Sequence, residues 1–426
     1  MIIFFFLIQV SFSQSLDANF EKICTDNDIV GGSLIVSSKD YDEIVHYGFS
    51  NLKNKTLIND NSLFKVASIS KIITTIAVLK LYEKGLLDLD GNINDYLDFH
   101  ITNPNFINKP ITVKMLLNHT SSLLDINTSN ILNISELFNQ NNLEKIYSKK
   151  SPGSFFSYAN INFILLGAII ENISQNRFDN FIEESIFKPL NINSSFNLEK
   201  INYNNLSVLY REGAPQMDIY FKQPIINLQP YTLGQSTYLL SPHSGCRISA
   251  IDLLKLVKIF LNNGKYYDGE IEFKLLNEDT VKLILNPTWE YDGKNGDNFS
   301  SLFNKWGLGL HIIRGQKCED IIFEDKVLYG HIGFAYGLLA SIYFNVEENQ
   351  SVLLLLNGYK NQKYKTGEKS AFYKVQEEVF NLTNNFINSN YQKKINLLNL
   401  EFDKIKKNSM FYFKNDYGYY FKKVLF

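Results

Sequence analysis

Runs with strand character lie toward the two ends of this 426-residue chain, and helical periods fill the stretch between them. Gly31 to Val36 and Asp42 to Gly48 read as two strands around a Lys39-Asp40 turn, a hairpin close to the N-terminus. Ile69, Ile72, Ile73, Ile76 and Leu79 then fall on one helical stripe, and Gly85 closes it as a C-cap. Asp88 to Gly91 lacks the ligand spacing of a calcium loop and reads as a turn. From about residue 112 to about residue 285 the pattern is largely helical, clearest at Ile161 to Ile173 and at Ser249 to Leu261. Strand signals return at Trp306 to Ile313, Tyr336 to Val346 and Ser351 to Leu356, and a long helical pattern covers Lys369 to Phe386. This order predicts an α+β fold: an antiparallel sheet built from both chain ends and flanked by helices, with an inserted mostly helical lobe. A substrate cleft is expected between the lobes.

Composition narrows the class. Hydrophobic residues make up 45% and charged residues 20%, a globular balance, and a formal charge of -2 gives no long-range pull toward nucleic acid or anionic membrane. From Gln392 to Phe426, however, eight lysines face only Glu401, Asp403 and Asp416. Alternation at Met410 to Phe413 and Tyr417 to Phe421 makes this basic, aromatic tail, residues 391–426, a candidate β appendage. At the other end, Ile2 to Val10 is apolar except for Gln9, too short to span a bilayer and close to the size of a signal-peptide core. Ser11 and Ser13 supply small residues before Gln14, so residues 1–13 are expected to be a signal peptide and the protein exported, although only the initiator amine supplies positive charge ahead of the core. Later stretches are not long and apolar enough for a membrane span. Cys24, Cys246 and Cys318 are too few and odd in number for a disulfide framework, and neither CxxC nor HExxH spacing occurs, so no catalytic metal is indicated.

The chemistry begins at Ser68-Ile69-Ser70-Lys71, at the head of the apolar helical stretch. Side chains at i and i+3 stand on one helix face, so the lysine amine can reach the serine hydroxyl. A lysine whose pKa is lowered by partial burial can hold the proton the serine must lose, which activates an alcohol without a histidine. Ser62-Leu63-Phe64-Lys65 repeats the spacing, but its last residues read as a strand or loop, where that spacing does not share a face.

Two further groups fit beside this pair. Ser151-Pro152-Gly153 introduces Tyr158 and Asn160, two residues apart on a loop or extended segment, and Gly330-His331-Ile332-Gly333 lies in a strand whose glycines allow close approach. With S-x-x-K, Y-x-N and H-x-G in this order, the chain resembles the serine β-lactamase and penicillin-binding-protein superfamily. The likeness is to its class C-like branch of β-lactamases, D-alanyl-D-alanine carboxypeptidases, esterases and D-aminopeptidases, and it covers roughly Asn27 to Leu382. Ile111 to Leu123 is similar to the family's helix and histidine-threonine-serine-glycine-leucine turn, with Ser122 in place of glycine, and Ser249 to Leu253 to the segment packed behind the site.

The resemblance implies one hydrolase domain over residues 14–390. In it Ser68 is the acylated nucleophile, Lys71 its activator, and Tyr158 a phenolate or proton shuttle whose pKa is lowered by Lys71 and His331. Asn160 orients substrate or lysine, and His331 stands where many relatives have lysine. The backbone N–H groups of Ser68 and of Phe334, just after Gly333, would form the oxyanion hole, and His119 would brace a turn. No cofactor is implied. Relatives acting on penicillins or D-alanyl peptides commonly carry a hydroxyl where this chain has Ile332, which favours a neutral small-molecule or peptide ester or amide as substrate. The rival expectation is a catalytically silent member that keeps the fold for binding or self-assembly.

Overall fold

The structure, a computed structural model, describes residues 16–126, 133–216, 228, 230–315, 322–323, 325–408, 410–414 and 420–424. The signal-peptide expectation for residues 1–13 and the third cysteine, Cys318, lie outside them. The other two thiols, Cys24 and Cys246, are free and buried.

Nine strands form one sheet. Their order is Trp289–Glu290, Lys305–Trp306, His311–Ile313, Leu328–Ala335, Leu338–Asn345, Gln350–Leu356, Gly31–Ser37, Asp42–Asn51 and Thr56–Leu57. Every adjacent pair is antiparallel, and the N-terminal hairpin joins the C-terminal strands through Gly32↔Leu356 to Ser37↔Ser351. The α+β architecture with a sheet drawn from both chain ends is therefore as the pattern predicts. Gly31–Ser37 is buried at every residue, which explains its lack of polar alternation: the helix Ala250–Leu261 covers it together with Leu338–Asn345 and Gln350–Leu356.

Between the two sheet-forming stretches the chain is helical at Asn160–Ser174 and Ala250–Leu261, but a hairpin, Lys265–Asp268 with Ile271–Lys274, interrupts the expected run. Gly269 at φ +60° supplies its turn. A helix over residues 16–26, which buries Leu16, Phe20 and Cys24, was not anticipated. The expected single strand Trp306 to Ile313 is two, Lys305–Trp306 and His311–Ile313, paired at Trp306↔His311, because Gly309 at φ +68° reverses the chain.

The last helix is longer than its periodicity suggests, Lys374–Asn408, because neither glycine nor proline follows Phe386 until Gly418. The chain divides into compact units Met1–Val379 and Phe380–Phe426, and the helix runs unbroken past residue 390. Within the second unit Met410–Lys414 pairs with Tyr420–Val424 as a hairpin.

One detail of the sheet creates the site. On its other side His311–Ile313 meets Leu328, Tyr329 and Gly330 but goes no further along that strand, so among the described residues the outer edge of His331–Ala335 has no strand beside it. The turn carrying Ser68 packs there instead.

Candidate active site

The short strand Phe64–Lys65 feeds a 3₁₀ turn, Ala67–Ile69, that opens directly into the helix Ser70–Glu83. Ala67 is forced to φ +45°, a left-handed conformation that costs an alanine about 1–2 kcal/mol. That bend lifts Ser68 out: from Ser62 to Leu79 every residue is buried except Ser68, which is half-buried. The second S-x-x-K is not assembled. Ser62 accepts a turn hydrogen bond from the Asn59 N–H, while the Lys65 ammonium lies 4.8 Å from the centre of the Tyr336 ring.

Lys71 is wholly buried beneath Ser68. Its Nζ lies 3.1 Å from Ser68 Oγ, 2.8 Å from Asn160 Oδ1 and 3.0 Å from the His243 carbonyl oxygen. Burial lowers its pKa to about 7, against a smaller upward pull from the Asp125 charge. Two of its three neighbours are carbonyl-type oxygens that can only accept, so a neutral amine spends its two hydrogens on them. Its lone pair then faces the one neighbour able to donate, the Ser68 hydroxyl.

Tyr158 lies beside the buried amine, the centre of its ring 4.9 Å from Lys71 Nζ. Its acidity is the opposite of the expected one. Burial among Phe303, Trp306 and His119 raises the phenol pKa, the polar Ser68 side chain opposes this in part, and the Asp125 charge raises it further, so the resting group is a phenol. His331 gives no cationic help. Burial lowers its pKa to about 3, helped by the Lys71 charge, and its Nδ1 donates to the Ile332 carbonyl at 2.6 Å. The imidazole is neutral, 6.1 Å from the Tyr158 ring between centres, and its Nε2 makes no hydrogen bond among the described residues.

Gly333 lies against the nucleophile turn, where an added Cβ would stand 2.3 Å from the Val66 carbonyl oxygen. The next residue, Phe334, is exposed and stacked on Tyr373. His119 holds Tyr158 in place from both sides of its backbone. Its carbonyl accepts from the Ser157 N–H at 2.8 Å, and its Nδ1 accepts from the Ala159 N–H at 3.2 Å and from Asn162 Nδ2 at 3.1 Å. Ser122 takes the left-handed backbone that glycine favours, at φ +66°, held by a hydrogen bond from Asn103 Nδ2 to its Oγ.

Two contributors escaped the sequence reading. The His243 carbonyl is a backbone group, which any residue offers and no motif announces. Asp125 had a legible signal: the helix Asn160–Ser174 begins after Ala159, which cannot cap it. Asp125 caps it from outside, accepting from the Ile161 N–H and from Asn160 Nδ2, each at 2.9 Å. Because a carboxylate only accepts, this contact fixes Asn160 with its oxygen toward Lys71. Asp125→Asn is expected to remove the upward pull on Lys71. The rising limb of a kcat/KM profile should then move to lower pH, whereas a limb that stays in place would deny Asp125 this influence.

A profile of the Beta-lactamase family matches residues 16–372. The chain belongs to that family. This Beta-lactamase-family chain is 27% identical over 271 residues to Protein flp of Staphylococcus aureus (strain MRSA252), covering 61% of this chain and 51% of that protein. It thus spans about half the length of that curated relative. Among solved structures, it superposes on a penicillin binding protein from Bacillus halodurans with a TM-score of 0.59 at 22% identity, over 80% of this chain and 94% of that one. A Beta-Lactamase/D-Alanine Carboxypeptidase from Pseudomonas syringae gives 0.63 at 16% identity, over 89% and 99%. At these identities the likeness is one of fold.

Proposed function

We propose that this protein is a serine hydrolase that cleaves an uncharged ester or amide through an acyl-enzyme on Ser68. The observation that carries the reading is the buried Lys71 amine, with a pKa of about 7 and a lone pair directed at a half-buried serine hydroxyl. Lys71 takes the Ser68 proton as Oγ adds to the carbonyl carbon, and the backbone N–H groups of Ser68 and Phe334 receive the oxyanion. The Tyr158 phenol gives its proton to the departing alcohol or amine as the carbonyl re-forms. The proton on Lys71 then restores the phenol, so the net transfer is from Ser68 to the leaving group. Water releases the acid in a second addition. Asn160, tied between Asp125 and Lys71, keeps the amine in register. Ile332 offers no hydrogen bond to a substrate carboxylate, which supports a neutral substrate. We place the mature protein outside the cytoplasm, on the strength of the apolar run Ile2 to Val10.

The test is intact mass after exposure to a small fluorophosphonate. Wild type should gain one adduct and Ser68→Ala none. A folded wild-type sample that stays unlabelled would instead favour a silent, binding member of the family.

A further inference from the structure

Phe299, Ser300 and Ser301 hold φ of +52°, +54° and +70°, three successive non-glycine residues in the left-handed region. Backbone strain of this kind persists only where its surroundings over-determine it. Here they do: the Phe299 N–H donates to Asp297 Oδ1 at 3.0 Å, the Ser301 N–H to Asn298 Oδ1 at 3.2 Å, and the Phe303 N–H to the Asn298 carbonyl at 2.9 Å. Asn298 is itself tied to Asn304, Nδ2 to Oδ1 at 3.0 Å.

What this rigid turn displays is a phenyl ring. Phe299 is 44% exposed, yet its ring stands edge-on to Tyr158, 6.0 Å between centres, and edge-on to Phe303 at 5.5 Å. Ile332 and Leu302 pack, partly buried, on the same aromatic cluster as Tyr158. An exposed aromatic held on a fixed turn, sharing the Tyr158 ring with the Lys71 amine, is a preorganised apolar wall. Its side of the reaction follows from Tyr158. The phenol is the proton donor to the departing atom, so side chains packed on its ring border the departing group. Phe299, Phe303, Leu302 and Ile332 carry neither charge nor donor for a carboxylate.

The geometry points to a leaving-group subsite, walled by Phe299, Ile332 and Tyr158, that takes an uncharged apolar or aromatic alcohol or amine. This reading rests on the serine-hydrolase function proposed above. The test compares two ester series. In the first the acyl group is acetyl and the alcohol grows from methyl through butyl to benzyl; in the second the alcohol is methyl and the acyl chain grows.

Wild type should prefer benzyl to methyl acetate. Phe299→Asn, whose side chain tolerates left-handed backbone, should reduce that kcat/KM ratio about tenfold or more, and Phe299→Tyr should retain it. The same ratio is read independently as protection of Ser68 from fluorophosphonate by the two acetates, and Ser68 labelling reports that each variant is folded. An unchanged ratio in Phe299→Asn, or a loss confined to the acyl series, overturns the subsite while leaving the hydrolase reading intact. A folded wild type that neither turns over esters nor labels at Ser68 overturns both.

Discussion

Replacing Lys71 with methionine is expected to slow acylation of Ser68 by about a thousandfold, within the range of roughly 10²–10⁴ for loss of a positioned general base. Methionine matches the length of the buried stem but leaves the Ser68 hydroxyl without an acceptor, and strands Asn160 Oδ1 and the His243 carbonyl without their donor. The wild-type pH profile carries the sharper signature. The amine works when neutral, so kcat/KM should rise with pH through about 7, where burial places its pKa. The variant should lose that limb; if it keeps it, another group is the base.

Stability is linked to the same titration, and the sign follows from proton counts. Below about pH 7 Lys71 is protonated in both folded and unfolded chains, and the cost of burying its charge is fully present. Between about 7 and the ordinary lysine value of 10.5 the unfolded chain holds a proton that the folded one lacks, so this contribution to stability rises with pH. Urea midpoints of wild type and Lys71→Met should therefore diverge in wild type's favour as pH increases across that window.

A single methyl at Gly333 is expected to be the next most damaging change. The added Cβ would lie 2.3 Å from the Val66 carbonyl oxygen and 3.3 Å from its carbon, both backbone atoms that cannot rotate aside. The strand must retreat from the nucleophile turn, and a displacement of about 1 Å in a catalytic constellation costs on the order of 10²-fold in rate. Gly333→Ala should therefore label at Ser68 about a hundredfold more slowly than wild type. A variant that labels at the wild-type rate would show that the strand and the turn need not touch.

The sequence was most informative where chemistry and periodicity coincide. Ser68 and Lys71 stand three residues apart across the turn that opens into the helix, so spacing alone foretells their contact. Gly31–Ser37 was legible as a strand from its apolar run and bounding turns. Long-range environment was not legible. The spacing of Tyr158 and Asn160 says nothing of the aromatic packing that raises the phenol pKa, since Phe303 and Trp306 arrive from about 145 residues away in sequence. Asp125 was hidden for a related reason: its partners Asn160 and Ile161 belong to a helix that starts 35 residues later. The Phe299 turn defeats pattern reading because nothing in Phe-Ser-Ser demands left-handed backbone.

The pairing of Gly32 with Leu356 also governs how the molecule can be made. A ribosome adding roughly 5–20 residues per second needs on the order of 15–65 s to travel from one partner to the other. Throughout that interval Gly31–Ser37, apolar enough to end up buried at every position, waits without its neighbour. Such a segment is a template for pairing with other nascent chains. Yield in a heterologous host should therefore depend on elongation speed and on chaperones that shield the first hairpin, more than on the thermodynamic stability of the finished sheet.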